Sequence, residues 1–382
     1  MTDINLLPTP FYIVYENRLR KNLQIIREVS RAADITIIMA FKANALWKTF
    51  NIFREYAVGC TASSINEMML GNEELKCRVH SYCPAYTDQT IDLFIQGSSH
   101  ITFNSLDQWE RFRQKIESHN ITHPDLRVSP GLRVNPRCSV IETDLYNPAL
   151  PGSRFGVTAD KLGDILPEGI EGFHFHQLCE SSSYDLEKVL EAFEEQFGRF
   201  LPRLRWVNMG GGHLMTREGY DTQHLIRLLK DFKRRHPNLS VILEPGSAFT
   251  WRTGDLIAGV VDIVENDGVS TAIIDASFTC HMPDTLEMPY QPIISESSSD
   301  GEYSYRLGGN SCLSGDYVGD WKFKAPLKRG DRLTLEDMNH YTTVKTTMFN
   351  GLAHPDIVFC NADGALSYLR RFTYEDYKMR MD

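Results

Sequence analysis

The chain has 382 residues, 42% of them hydrophobic, and a formal net charge of −10. That length allows two domains and a large core. The acidic excess argues against nucleic acid or an anionic membrane as the main partner, and suits a polycationic ligand. The start, MTDINLLPTPFYIVYE, has no basic segment leading into a long apolar one, and no apolar run approaches the ~20 residues of a membrane helix, so a cytoplasmic protein is expected. Eight scattered cysteines without CxxC spacing read as reduced thiols.

PFYIVY reads as a strand with no helix before it, free to join a later sheet. From there to about residue 250, short apolar strands alternate with amphipathic helices. The strands are ITIIMAF, HITFN, LRVSPGLRVN, IEGFHFH, LRWVNMG and SVILEPG; the helices cover 16–33, 64–76, 105–118, 184–200 and 221–235. This alternation predicts a parallel α/β domain, and the number of units fits a (β/α)8 TIM-type barrel with its functional residues at the C-terminal strand ends. Beyond 250, GDLIAGVVDIVEN, STAIIDASF, EYSYRLGG and DRLTLEDMN read as strands joined by Gly, Asp and Pro turns. The expected division is a barrel over 16–249 and a β-rich C-terminal domain over 250–382 that takes in residues 1–15. SESSSDGE (295–302) reads as a surface loop.

Lys42 ends the β-branched run ITIIMAF and is followed by small residues. An amine at the mouth of a sheet is partly desolvated, which lowers its pKa and equips it to form a Schiff base. In WVNMGGGHLM, Gly210, Gly211 and Gly212 follow a strand, where backbone N–H groups can converge on an anion, or where the chain simply turns tightly. Glu244, before the Pro245–Gly246 turn, can hydrogen-bond a protonated ring nitrogen, or can be salt-bridged at the surface. His174 and His176 share one strand face. Two histidines so spaced can ligate zinc, but a third ligand at fitting spacing is missing, so no metal is expected. Stacking on a cofactor ring suits His176, and a core position suits His174. Cys312, in the polar loop GGNSCLSGDY, suits proton transfer or a buried apolar role. Tyr341 can donate to a phosphate or pack in a strand.

Taken together and in order, these segments resemble the fold-type III pyridoxal-phosphate decarboxylases, with their alanine-racemase-like barrel and β-domain. IMAFKAN is similar to the strand carrying the Schiff-base lysine, which implies that role for Lys42. FHFHQLCE implies ring stacking for His176, NMGGG phosphate binding for Gly210–Gly212, and LEPG a pyridine-nitrogen partner in Glu244, with Gly246 beside the cofactor. SFTCHMPD implies that Asp284 holds a distal substrate amine. Cys312 matches the proton-donating cysteine, Tyr341 a phosphate-contacting tyrosine, and Glu244 and Asp316 complete the implied substrate contacts. The resemblance further implies pyridoxal 5'-phosphate as cofactor and a homodimer whose partner subunit supplies the cysteine.

GLRVNPRCS, GSRFGV, HMPDTLEMPY and GNSCLSGDYVG resemble the subfamily acting on carboxynorspermidine and carboxyspermidine. Ser247 stands where ornithine decarboxylases have an arginine, and Leu313 where ornithine and diaminopimelate enzymes have an acidic residue. Leucine cannot hold an ammonium, so a longer polyamine acid is the expected substrate. An ornithine, arginine or diaminopimelate decarboxylase, a racemase, a non-catalytic cofactor-binding barrel, and a metal-dependent hydrolase using His174 and His176 are the competing readings.

Overall fold

A computed structural model describes residues 4–382. They form two compact units, one of residues 22–249 and one combining the stretch up to Lys21 with Thr250–Asp382. β1 (Phe11–Tyr15) leads into the helix Glu16–Ala33, which buries Leu19, Leu23 and Ile26 at helical spacing.

The larger unit holds β2 (Thr36–Ile37), β3 (Met39–Ala40), β4 (Cys60–Ala62), β5 (Val79–Tyr82), β6 (Ser98–Phe103), β7 (Ser129–Arg133), β8 (Gly172–His174), β9 (Trp206–Asn208) and β10 (Ser240–Leu243). All paired neighbours are parallel, in the order β2-β10-β9-β8-β7-β6-β5-β4-β3. Ile38, between β2 and β3, donates its N–H to Leu243 O at 2.9 Å, and Met39 donates to Gly59 O at 2.9 Å. The run 36–40 is therefore one strand that changes neighbour half-way, and it closes eight strands into a ring.

Capping side chains start the intervening helices. Ser64 accepts from Glu67 N, Ser105 from Gln108 N and Asp221 from His224 N, while Ser182 and Asp185 form a reciprocal capping box. Such caps stabilise a helix start by ~1 kcal/mol each. Inside the ring, the Trp206 indole lies across two strands that lack side chains there. A Cβ on Gly172 would sit 2.0 Å from the indole, and one on Gly131 2.2 Å. Trp206 Nε1 donates to Ser129 Oγ at 2.8 Å, and Ile38 and Ile242 pack against the ring. His80 and His100 stack at 4.0 Å beside it. This plug sits further back along the strands than His174 and Glu244.

The barrel expectation holds, but six strands were legible where eight exist. β4 (CTA) and β5 (VHSY) are built of small and polar residues and lack the flanking apolar run that makes strands of similar length, such as β8 and β9, legible. LRVSPGLRVN contracts to Ser129–Arg133.

The second unit holds β1 with β11 (Gly254–Asn266), β12 (Val269–Ile274), β13 (Tyr303–Gly308), β14 (Tyr317–Phe323), β15 (Arg332–Leu335), β16 (Asp356–Cys360) and β17 (Leu366–Arg370). β1 lies between β11, antiparallel, and β16, parallel. The buried first half of β11 pairs with β1 and β15. After an irregularity between Val260 and Asp262, its exposed half pairs with β12. β14, β16 and β17 have no counterpart among the strands expected from sequence. Among the described residues, no helix is long and apolar enough to cross a membrane.

Candidate active site

The C-terminal strand ends of the barrel enclose a cavity of about 310 Å³. Lys42 reaches it from two residues past β3, Thr61 from β4, and Tyr82, Arg133 and His174 from the last positions of β5, β7 and β8. His176 and Glu244 come from just beyond β8 and β10, and Leu145–Pro148, from the long loop after β7, complete the wall. The size is that of a pocket for a small ligand.

Glu244 is buried, and both its oxygens are bonded. Oε1 accepts from His174 Nε2 at 2.8 Å and Oε2 from Asn208 Nδ2 at 2.9 Å. Burial pushes its pKa up, but the opposing pull of His174, His176 and Asn208 is larger and holds the carboxyl well below the usual range. His174 is 1% exposed and stacks on Tyr82 at 5.2 Å. Desolvation lowers its pKa while Glu244 opposes the shift, and its Nε2–H is the donor to that carboxylate. Asn208 also accepts from Gly210 N through Oδ1 at 2.9 Å, tying the carboxylate to the glycine loop.

Lys42 Nζ lies 3.4 Å from His176 Nε2. Lys42 lines the cavity and is exposed there, yet the protein atoms packed around its amine govern its acidity. Desolvation lowers the ammonium pKa, Glu244 opposes the shift, and Arg133 adds to it. Desolvation, then Lys42 and Arg133, keep His176 well below its ordinary pKa. Gly211 N donates to His176 Nδ1 at 3.1 Å, so the neutral ring carries its proton on Nε2, facing the lysine. A Nε2–H···Nζ hydrogen bond requires a free amine lone pair, the form in which a lysine is a nucleophile.

The glycines do a different job from the one expected. The amides of Gly210 and Gly211 are bonded to Asn208 and His176, so these two do not converge on an anion. What the positions require is close backbone approach. A Cβ would lie 2.5 Å from Phe175 O at Gly210, 2.6 Å from Glu244 O at Gly211 and 2.3 Å from Leu178 O at Gly212. The first and last also have φ of +72° and +87°. At Gly246 a Cβ would sit 2.4 Å from the Ala43 Cβ, so this glycine lets the turn after Glu244 pack against the residue after Lys42.

The donor set fits an aldehyde-bearing pyridine. A partly desolvated amine suits the aldehyde, an ionised buried carboxylate suits a protonated ring nitrogen, and a flat neutral imidazole suits the ring face. Among the described residues no three His, Cys, Asp or Glu side chains are grouped as metal ligands.

The other expected residues belong to the sheet unit. Cys312 is exposed, and its N–H donates to Asn350 Oδ1 at 2.7 Å. Asp316 departs from its expected substrate contact. It is 4% exposed and accepts from Ser277 Oγ, Thr279 N and Ser311 N, which makes it a brace for the Cys312 loop. Asp284 Oδ2 accepts from Tyr290 Oη and Thr342 Oγ1, while Oδ1 is buried without a protein hydrogen-bond partner. Tyr341 has φ 56° and ψ −45°, and Thr342 N donates to His340 O at 2.6 Å across it. This is a γ-turn that strains a bulky residue, in place of the strand position that sequence allowed.

Sequence reasoning missed three residues of the barrel site: Asn208, His174 as the Glu244 partner, and Arg133. The Arg133 guanidinium lies between the rings of Tyr82 at 4.7 Å and Phe155 at 4.5 Å, and donates to His176 O at 3.3 Å. An arginine closing the apolar run GLR was the available signal.

A sequence model described as "Pyridoxal-dependent decarboxylase, C-terminal sheet domain" matches residues 14–339. The chain is 46% identical to the carboxyaminopropylagmatine decarboxylase of Synechocystis sp. over 98% of its length and 96% of that protein's. It is 38% identical to the carboxynorspermidine/carboxyspermidine decarboxylase of Campylobacter jejuni, over 98% of both. The crystal structure of carboxynorspermidine decarboxylase complexed with norspermidine, also from C. jejuni, superposes with a TM-score of 0.89 at 37% identity, covering 98% of this chain and all of that one. Matched along nearly its whole length by these relatives, and with Lys42 and Glu244 lining the mouth of its eight-stranded barrel, this chain belongs to the pyridoxal-dependent decarboxylases.

Proposed function

We propose that this enzyme removes the α-carboxylate, as carbon dioxide, from carboxynorspermidine or carboxyspermidine, releasing the corresponding polyamine. The observation that carries the reading is Lys42 in its cavity, 3.4 Å from a neutral imidazole and opposite the Glu244 carboxylate. When bound, pyridoxal 5'-phosphate supplies an electron sink for the pair left at Cα. Lys42 would hold the cofactor through its Nζ, and Glu244 would keep a proton on the ring nitrogen. His176 would flank the ring, and the family resemblance supports cofactor contacts from Gly210–Gly212, Gly246 and Tyr341. Cys312 Sγ would return a proton to Cα, and Asp284, whose Oδ1 has no protein hydrogen-bond partner, would pair with an ammonium of the substrate tail. Cytoplasmic location and a homodimer in which Cys312 serves the other subunit belong to the same proposal, supported by the family resemblance.

A second substrate, carboxyaminopropylagmatine, is favoured by the 46% identity to the Synechocystis protein. Its far end is a planar guanidinium instead of a compact ammonium, which a carboxylate can grip with two parallel hydrogen bonds. Carbon dioxide release from the three acids, with diaminopimelate and ornithine as controls, tests the reading. Turnover confined to the controls would overturn it. Borohydride reduction should fix the cofactor on Lys42, and Lys42→Ala should be colourless and inactive.

A further inference from the structure

Cys60 opens β4 and is buried, and Cys77 follows Lys76, which holds a left-handed conformation at φ 62°. Their sulfurs are 3.7 Å apart and share a hydrogen bond. Gly71 keeps the space between the segments clear. A Cβ there would stand 2.8 Å from Cys60 Sγ and 2.5 Å from Val79 Cγ1. Cys83, Cys138, Cys280 and Cys360 instead direct their thiols at carbonyl oxygens. We propose that Cys60 and Cys77 form a redox site that closes to a reversible disulfide when the enzyme meets a peroxide.

Exposure and charge assign the order of events. Cys77 is the half-buried member, open to a small oxidant, whereas Cys60 is 1% exposed. The hydrogen bond that the two sulfurs share raises the Cys60 pKa and lowers that of Cys77. Cys77 is therefore the thiolate nucleophile. Its sulfur attacks one peroxide oxygen, the O–O bond breaks, and the departing hydroxide takes a proton to become water, leaving Cys77 as a sulfenic acid. The Cys60 sulfur then attacks Cys77. The S–S bond forms, the S–O bond breaks, and the oxygen leaves as water with the Cys60 proton. Two thiols lose two electrons and two protons, and one hydrogen peroxide becomes two waters. Thr61 and Ser63, one and three residues beyond Cys60, line the catalytic cavity, so the bridge would form at the foot of the segment that shapes it.

Holoenzyme treated with a few equivalents of hydrogen peroxide, denatured in iodoacetamide and digested with trypsin tests this. Cleavage after Arg54, Lys76 and Arg78 separates the two cysteines into peptides 55–76 and 77–78. The expected product is those peptides joined, 2 Da lighter than their sum, and released by dithiothreitol. Cys60→Ser should instead leave a Cys77 sulfenic acid that dimedone traps. Wild-type protein in which both cysteines stay alkylated while other thiols oxidise would overturn the proposal, as would Cys77 advancing to sulfinic acid beside an alkylated Cys60. Both readouts are independent of decarboxylation.

Discussion

Replacing Asn208 with alanine tests whether the carboxylate at the centre of the site is held by the network around it. The change removes the 2.9 Å hydrogen bond to Glu244 Oε2 and leaves the Gly210 amide without its acceptor. A hydrogen bond to a buried ionised group contributes ~1.5–3 kcal/mol, and an orphaned buried amide costs ~1–3 kcal/mol. Allowing for partial relaxation, the loss should be about 3–5 kcal/mol, a large part of the ~5–15 kcal/mol that stabilises a folded chain. Urea denaturation at pH 7.5, followed by tryptophan fluorescence because Trp206 lies in the same barrel, measures it. The variant should also release cofactor faster on dilution. Asn208→Asp should be worse, since it sets a second carboxylate beside Glu244. A loss below ~1 kcal/mol with unchanged cofactor retention would show that Glu244 is held by His174 alone.

Gly172→Ala drives a methyl group into the Trp206 ring and should cost more than ~3 kcal/mol or abolish soluble expression, whereas Gly198→Ala, where a Cβ meets nothing within 4 Å, should be neutral or stabilising by the same denaturation assay. Acid should weaken the barrel. His100 and His213 are pushed by burial to about 4 from an ordinary 6.5, so between those values the unfolded chain binds more protons and stability rises with pH. The two together give a slope approaching ~2.7 kcal/mol per pH unit near pH 5, measurable by denaturation at pH 5, 6 and 7; a flat profile would mean these rings are charged in the fold. Asp316→Ala should free the Ser311 and Thr279 amides, speeding their hydrogen exchange while leaving exchange in the barrel strands unchanged.

Lys42, His176 and Glu244 were legible because each ends or follows an apolar run long enough to identify as a strand, and a barrel gathers strand ends. Their partners were not. His174 meets Glu244 across 70 residues of chain and Asn208 meets it across 36, and neither pairing leaves a local pattern. The triple glycine was legible as a special turn, but its cause was not. Whether an amide faces a ligand or a neighbouring loop depends on how closely β8, β9 and β10 approach. Asp316 misled for a similar reason, because an acid in a polar loop beside Cys312 looks available until Ser277 and Thr279 fold over it. The strain at Tyr341 has no signature at all in the segment NHYTT.

The strand that seals the ring is also the strand that delivers the reactive amine. That strand's second neighbour, β10, lies some two hundred residues further along the chain than Lys42. Arg133 and Glu244, which tune that amine, also come later in the chain. The acidity of Lys42 is therefore a property of the closed ring and cannot be assigned to its sequence neighbours alone.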